Sequence, residues 1–207
     1  NFYMFNTKEK KERALGVRLF LKGHRCNSQK CAMVRRPYKP GIHGKSRRRA
    51  LSEFGQQLLE KQKIKVSYGL KESQMVKIFK EASKSGSMVQ AIVNILEMRF
   101  DNAVFRSGFA SSRIVARQYI GHGHLMVNGK KVTIPSYRVK VGDVISIKPS
   151  SKELLIFKDL PNIIKKYNAP DWISIDTDKI ESKIKKIPIE ISNQMFNINL
   201  VVDYYSR

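Results

Sequence analysis

Asn128-Gly129 stands between two short β-prone runs, Leu125-Met126-Val127 and Lys131-Val132-Thr133. A two-residue hairpin turn that matches strand twist needs positive φ at both central positions, and Asn-Gly supplies it at the least cost. The pair predicts an antiparallel hairpin and excludes an all-helical chain. Its surroundings narrow the fold further. Ser111 or Ser112 caps a helix that turns Val115, Ala116, Tyr119 and Ile120 inward and ends at Gly121. Val141-Gly142-Asp143 predicts a second turn, ahead of the strand Val144-Ile145-Ser146-Ile147. Upstream, Met88, Ile92, Leu96, Phe100 and Ala103 form one helical stripe that runs to Gly108. Residues 93–148 thus read as two helices packed on a small curved antiparallel sheet.

The flanks differ in kind. Ser52 predicts the cap of a helix with Leu51, Phe54 and Leu58 on one side, ended by Tyr68-Gly69. Met75, Ile78, Phe79 and Ala82 give the i, i+3, i+4, i+7 stripe of a second helix, which Gly86 separates from the next. Ahead of these, Pro37, Pro40, Gly41 and Gly44 forbid a continuous helix, so residues 1–50 are expected to extend and turn. Toward the other end, residues 171–176 alternate as a short strand. Leu200-Val201-Val202 is apolar and β-prone, and is expected to dock on an earlier part of the chain.

Charge now decides between partners. The chain carries 40 Lys and Arg against 17 Asp and Glu, a net +23, and the excess is uneven. Residues 1–50 hold 15 basic and 2 acidic side chains, whereas residues 151–207 hold 9 and 8. A basic front and a near-neutral last quarter point to a polyanion that meets part of the protein, with nucleic acid first among candidates. The longest uncharged runs are 12 residues, short of the roughly 20 apolar residues that a membrane helix needs. The first residues lack the apolar stretch of a secretory signal. Two cysteines make no disulfide framework and suit a reducing compartment.

Arg113 and Arg117, one turn apart at a helix start, are expected to point outward together toward phosphate. His122 and His124 follow in a Gly-rich turn, Asn128, Lys130 and Lys131 lie in the hairpin, and Arg138 lies just beyond. Arg99 and Arg106, seven apart, suggest a second basic face. In the front, Arg35, Arg36, Lys39, Lys45, Arg47, Arg48 and Arg49 interleave with Tyr38 and His43, a pattern suited to threading into folded RNA. Cys26 and Cys31 make only half of a tetrahedral zinc site. No P-loop, Gly-x-Ser-x-Gly elbow or His-Glu-x-x-His is present. Asp101 is expected to partner an arginine and Asp143 to serve a turn.

In order along the chain, Leu19-Phe20-Leu21-Lys22-Gly23, Arg35-Arg36-Pro37-Tyr38, His43-Gly44, Ser52-Glu53-Phe54 and Tyr68-Gly69 precede Phe109-Ala110-Ser111-Ser112-Arg113, His122-Gly123-His124, Val127-Asn128-Gly129 and a closing Tyr204-Tyr205-Ser206-Arg207. Taken together they resemble the universal small-subunit ribosomal proteins of the S-four family, in their bacterial or organellar form. The resemblance implies an α+β fold: a mostly helical domain with an inserted small RNA-binding module. The basic segment would span 1–50, the helical body 51–92 completed by 177–207, and the module 93–176. It also implies a primary rRNA-binding role at a junction in the 5′ domain of the small-subunit RNA, where the protein nucleates assembly of the subunit body. A neighbouring protein of the S-five family, mRNA near the entry channel and an influence on translational accuracy are further implications. The location would be a bacterial cytoplasmic or an organellar ribosome. Similar modules occur on pseudouridine synthases and tRNA synthetases, which need a catalytic domain that these motif-poor flanks do not suggest. Many zinc-carrying members have an additional Cys-x-x-Cys near the N-terminus. Glu9 and Glu12 hold those positions here, so neither zinc nor another cofactor is expected.

Overall fold

The computed structural model describes residues 8–46, 50–191 and 196–206. The front holds helix α1 (Lys8–Leu15), a 3-10 turn at Gly23–Asn27, the single turn α2 (Ala32–Arg35) and a 3-10 turn at Ile42–Lys45. Helices α3 (Glu53–Ser67), α4 (Glu72–Ala82), α5 (Met88–Glu97), α6 (Phe100–Arg106) and α7 (Arg113–Gly121) follow. Strands β1 (Leu125–Val127), β2 (Lys130–Lys131) and β3 (Val144–Ile147) come next, then the short helices α8 (Leu155–Lys158) and α9 (Leu160–Lys165). Strands β4 (Ile173–Asp176) and β5 (Glu181–Ile184) precede the last helix, α10 (Ile198–Tyr205). The chain divides into two compact units: residues 1–92 with 193–207, and residues 93–192.

In the first unit, two local signals act as read. The Ser52 hydroxyl accepts a hydrogen bond from the Gly55 amide at 3.2 Å, and Gly69 closes α3 with a φ of +57°. The predicted stripe of α4, Met75, Ile78, Phe79 and Ala82, is buried. The inward face of α3 is different from the one expected. Leu51 and Phe54 are about half exposed, and Gln57, Lys61, Ile64 and Ser67 are buried instead. The cause is α10, which forms a helix where three β-prone residues suggested a strand. Its Tyr205 stacks on Phe79 with ring centroids 4.2 Å apart, and Lys61 Nζ lies 4.2 Å from the centre of the Tyr204 ring. Glu72 ties this contact together. It accepts from Lys61 at 2.8 Å, from Lys65 at 2.9 Å and from the Tyr205 hydroxyl at 3.0 Å.

Burial works to raise the Glu72 carboxyl, but these three donors prevail and hold it at about 2, against 4.5 for a free glutamate. A depressed carboxylate stabilises the fold fully above the unfolded value and loses that contribution as pH falls through the folded one. Acid should therefore loosen α10 between pH 4.5 and about 2. Glu72 is 45% exposed, so solvent screening limits the effect to about 1 kcal/mol or less. Faster hydrogen exchange in α10 across that window is the expected result; a Glu72→Gln variant should show no such window.

In the second unit, Asn128 and Gly129 have φ of +50° and +75°, and Val127 pairs with Lys130 across the predicted turn. The sheet has five antiparallel strands in the order β2-β1-β3-β5-β4. The expected boundary at residue 176 falls inside this sheet. β5 pairs with β3 through Ile145↔Ser182 and with β4 through Ile175↔Ser182. Ser182 and Ile184 face inward from β5, so residues 177–192 group with the module and not with the helical body. Phe100, Ala116, Ile120, Leu125, Ile145, Ile147, Trp172 and Ile184 belong to one core.

The long helix expected up to Gly108 is two helices. Arg99 is extended (φ −70°, ψ 140°) because residues 98–100 pair with the loop after the hairpin. Val139 N donates to Met98 O at 3.0 Å and Phe100 N donates to Tyr137 O at 2.8 Å. Ser112, and not Ser111, caps α7 by accepting from the Val115 amide.

Candidate nucleic-acid interface

Two carboxylates buried in the module organise its arginines. Glu97, fully buried, accepts from Asn102 Nδ2 at 2.9 Å and from Arg106 Nε at 3.1 Å. Asp101, also buried, accepts from Arg99 through Nε at 3.1 Å and Nη2 at 2.9 Å, and from Arg117 Nε at 2.6 Å. Asn102 Oδ1 accepts from Arg113 Nε at 2.8 Å, and the Arg113 guanidinium lies 4.8 Å from the centre of the Phe105 ring. A buried carboxylate needs such counterions, because the desolvation of an unpaired charge costs several kcal/mol.

This network corrects two expectations. Arg99 and Arg106 are 8% and 7% exposed and neutralise the two carboxylates; they form no second basic face. Arg113 and Arg117 do not simply splay outward: both are half-buried and lean back onto α6. Asp101 is the arginine partner that the sequence suggested. The residues missed were Glu97 and Asn102. The available signal was two acids four residues apart, Glu97 and Asp101, within a stretch that carries four arginines, Arg99, Arg106, Arg113 and Arg117.

The remaining candidates of the module divide by exposure. His122, Lys130, Lys131, Arg138 and Ser111 are exposed, whereas Ser112 is buried by its capping role. Gly123, with φ +75°, has the end of the Lys131 side chain, Cε and Nζ, against it where a Cβ would stand, so Lys131 lies beside the His122–His124 turn. The His124 ring is half-buried against Tyr119 and Phe157, with Nδ1 3.0 Å from the Ser151 hydroxyl. Burial lowers its pKa, with smaller contributions from His122 and Lys148. Asn128 is exposed but occupied. Its Nδ2 donates to Asp143 Oδ1 at 2.8 Å and its Oδ1 accepts from Val144 N at 2.9 Å, so it locks the turn.

In the front, Arg35, Arg36, His43 and Lys45 are exposed and Lys39 is half-buried. The path is not a simple extended strand. α1 was not foreseen, and Arg13 on it donates from Nε to Arg36 O and Tyr38 O, both at 3.0 Å. The Arg13 guanidinium (5.0 Å) and Lys45 Nζ (5.2 Å) both lie over the Tyr38 ring. Gly44 is needed because a Cβ there would strike the Lys39 carbonyl. Arg47, Arg48 and Arg49 lie outside the described residues, as does Arg207 of the closing motif.

Glu9 and Glu12, which stand where zinc-carrying members have the additional Cys-x-x-Cys, are engaged with the chain itself. Glu9 Oε1 accepts from Arg25 Nε at 2.7 Å and lies 3.3 Å from Lys22 Nζ. Glu12 Oε1 accepts from the amides of Leu19 and Leu21 at 3.0 and 3.2 Å. Burial raises the Glu12 carboxyl, and these amide bonds act against that rise. Cys26 and Cys31 are buried free thiols, and burial raises the Cys26 thiol. Among the described residues no three His, Cys, Asp or Glu side chains converge on a metal position. Likewise, no helix among them is long and apolar enough to cross a membrane.

Comparison with known proteins covers both units. Residues 5–97 match the family described as Ribosomal protein S4/S9 N-terminal domain, and residues 98–145 match the S4 domain. A protein of Natranaerobius thermophilus named Small ribosomal subunit protein uS4 is 41% identical over 194 residues, 93% of each chain. Those of Thermus thermophilus and Gloeobacter violaceus are 42% and 43% identical, over 93% and 94% of each chain.

Proposed function

The chain belongs to the uS4 family of small ribosomal subunit proteins, and on that premise we propose that it binds small-subunit rRNA directly. It is a structural protein of the ribosome and not an enzyme. The observation that carries this reading is the match to uS4 over 93% of the chain, which includes the basic front as well as the module.

The geometry supports two RNA-facing surfaces. One is the front with Arg35, Arg36, Lys39, His43 and Lys45, extended in sequence by Arg47, Arg48 and Arg49. The other comprises Arg113 and Arg117, held by Asn102 and Asp101, together with Ser111, His122, His124, Lys130, Lys131 and Arg138. Phosphate neutralisation and shape recognition suit such cations better than base reading does. Arg99, Arg106, Ser112 and Asn128 act behind this surface, as counterions, cap and turn lock. At finer grain the target is a multi-helix junction in the 5′ domain of the rRNA, where binding nucleates assembly of the subunit body. A neighbour of the S-five family and mRNA near its entry channel complete the surroundings, and through them the protein bears on decoding accuracy. The ribosome is bacterial, in the cytoplasm, or organellar.

Filter binding at moderate salt tests this. The full chain should bind a 5′-domain fragment of small-subunit rRNA well above a fragment of equal length from another domain. Equal affinity for both would refute the 5′-domain assignment, and no binding to either would refute the function.

A further inference from the structure

Glu9, Glu12 and Arg13 stand at i, i+3 and i+4 on α1, so one helix face carries all three. Each reaches a different part of the front. Glu9 engages Lys22 and Arg25 of the first turn. Glu12, 1% exposed, gathers the Leu19 and Leu21 amides onto one oxygen. Arg13 bonds to the carbonyls of Arg36, Tyr38 and Lys39 and covers the Tyr38 ring. Residues 16–46 hold only short helical turns, and a loop-rich segment of this kind needs side-chain cross-links to keep one path.

We propose that α1 is a metal-free brace that pre-forms the basic front for RNA, with Arg13 as the residue that positions Arg35, Arg36 and Lys39. The position at which relatives of the zinc-carrying kind would place thiols holds two carboxylates, both engaged with donors of the front itself. The cross-link is thus made by hydrogen bonds and ion pairs within the chain. The Arg13 guanidinium reaches these carbonyls from two nitrogens, Nε and Nη2, set apart in one plane, whereas a lysine ammonium offers its donors from a single point on a flexible stem. Ordering the front before the encounter removes that cost from binding. The positioning role rests on the rRNA-binding reading above; the brace itself does not.

Two measurements on the full chain test it. The first is affinity for the 5′-domain fragment as a function of salt, for wild type and Arg13→Lys, both treated with chelator. Arg13→Lys keeps the net charge and should bind about tenfold more weakly, with an unchanged slope of log affinity against log salt. A slope lower by about 1 in Arg13→Ala, which removes the charge, would mean that Arg13 contacts phosphate itself, and an unchanged affinity of Arg13→Lys would mean that it positions nothing; either overturns the positioning role. The second is hydrogen exchange at the Leu19 and Leu21 amides. They should be protected in chelator-treated wild type and exposed in Glu12→Ala. Protection that vanishes on chelation and returns with added zinc would overturn the brace, whether or not any RNA is bound and however stable Arg13→Lys proves to be.

Discussion

Raising salt from 50 to 200 mM should weaken binding to the rRNA fragment by about 10³–10⁵-fold. The expectation comes from the number of cations that the fold leaves at its surface. Arg35, Arg36, Lys45, Lys130, Lys131 and Arg138 are exposed, and Arg113 and Arg117 stand half-buried at the start of α7. Contact with about 6–10 phosphates releases a matching set of counterions, and salt opposes that release. The slope can be dissected. Lys130→Ala and Lys131→Ala should each lower it by about 1, with affinity falling for all sequences alike. Arg106→Lys should leave the slope unchanged, because Arg106 faces Glu97. Filter binding across a salt series gives all of these slopes. A flat salt dependence would refute binding through phosphate neutralisation.

Glu97→Ala should cost the module about 3–5 kcal/mol, because it strips a buried arginine of its carboxylate. Glu97 is fully buried, and both Arg106 and Asn102 donate to it. Glu97→Gln keeps the shape and one acceptor oxygen, so its loss should be smaller. Trp172 is the only tryptophan, and it is buried in the module core, so urea unfolding followed by its fluorescence reports on this unit. The expected order of stability is wild type, then Gln, then Ala. The effect should extend to RNA: Asn102 holds Arg113 as well as Glu97, so a displaced Asn102 also releases Arg113. Equal stability of all three proteins would show that Glu97 is not needed to hold the arginines.

What could be read in the sequence was what a few adjacent residues decide among themselves. The Asn128-Gly129 turn needs only its own two φ angles, the Ser52 and Ser112 caps need only the amide three residues on, and the stripe of α4 needs only helical spacing. What could not be read was decided by distant partners. Lys61 is buried because Tyr204, Tyr205 and Glu72 surround its ammonium, and nothing near it in sequence says so. Arg99 and Arg113 carry the same side chain, yet one is a counterion and the other leans over Phe105; the difference lies in which carboxylate or ring the fold brings to each. The site followed the same rule. The candidate cations stand out in the sequence as a set, and their division into exposed and buried does not. Local pattern located the module's helices and hairpin, but neither it nor the family resemblance located the late strand β5, whose four residues Glu-Ser-Lys-Ile carry little hydrophobic signal.

That late strand sets a timetable. β5 lies between β3 and β4, so the edge of β3 stays open from the synthesis of Ile147 until Ile184 has been made. At about 5–20 residues per second the wait lasts some seconds. During it the growing chain presents an unpaired strand edge, the feature by which nascent sheets join the wrong neighbour. Once β5 slots in, the sheet is complete, while α3 and α4 still await α10. All of the module's strands are therefore made before α10, on which the packing of α3 and α4 depends.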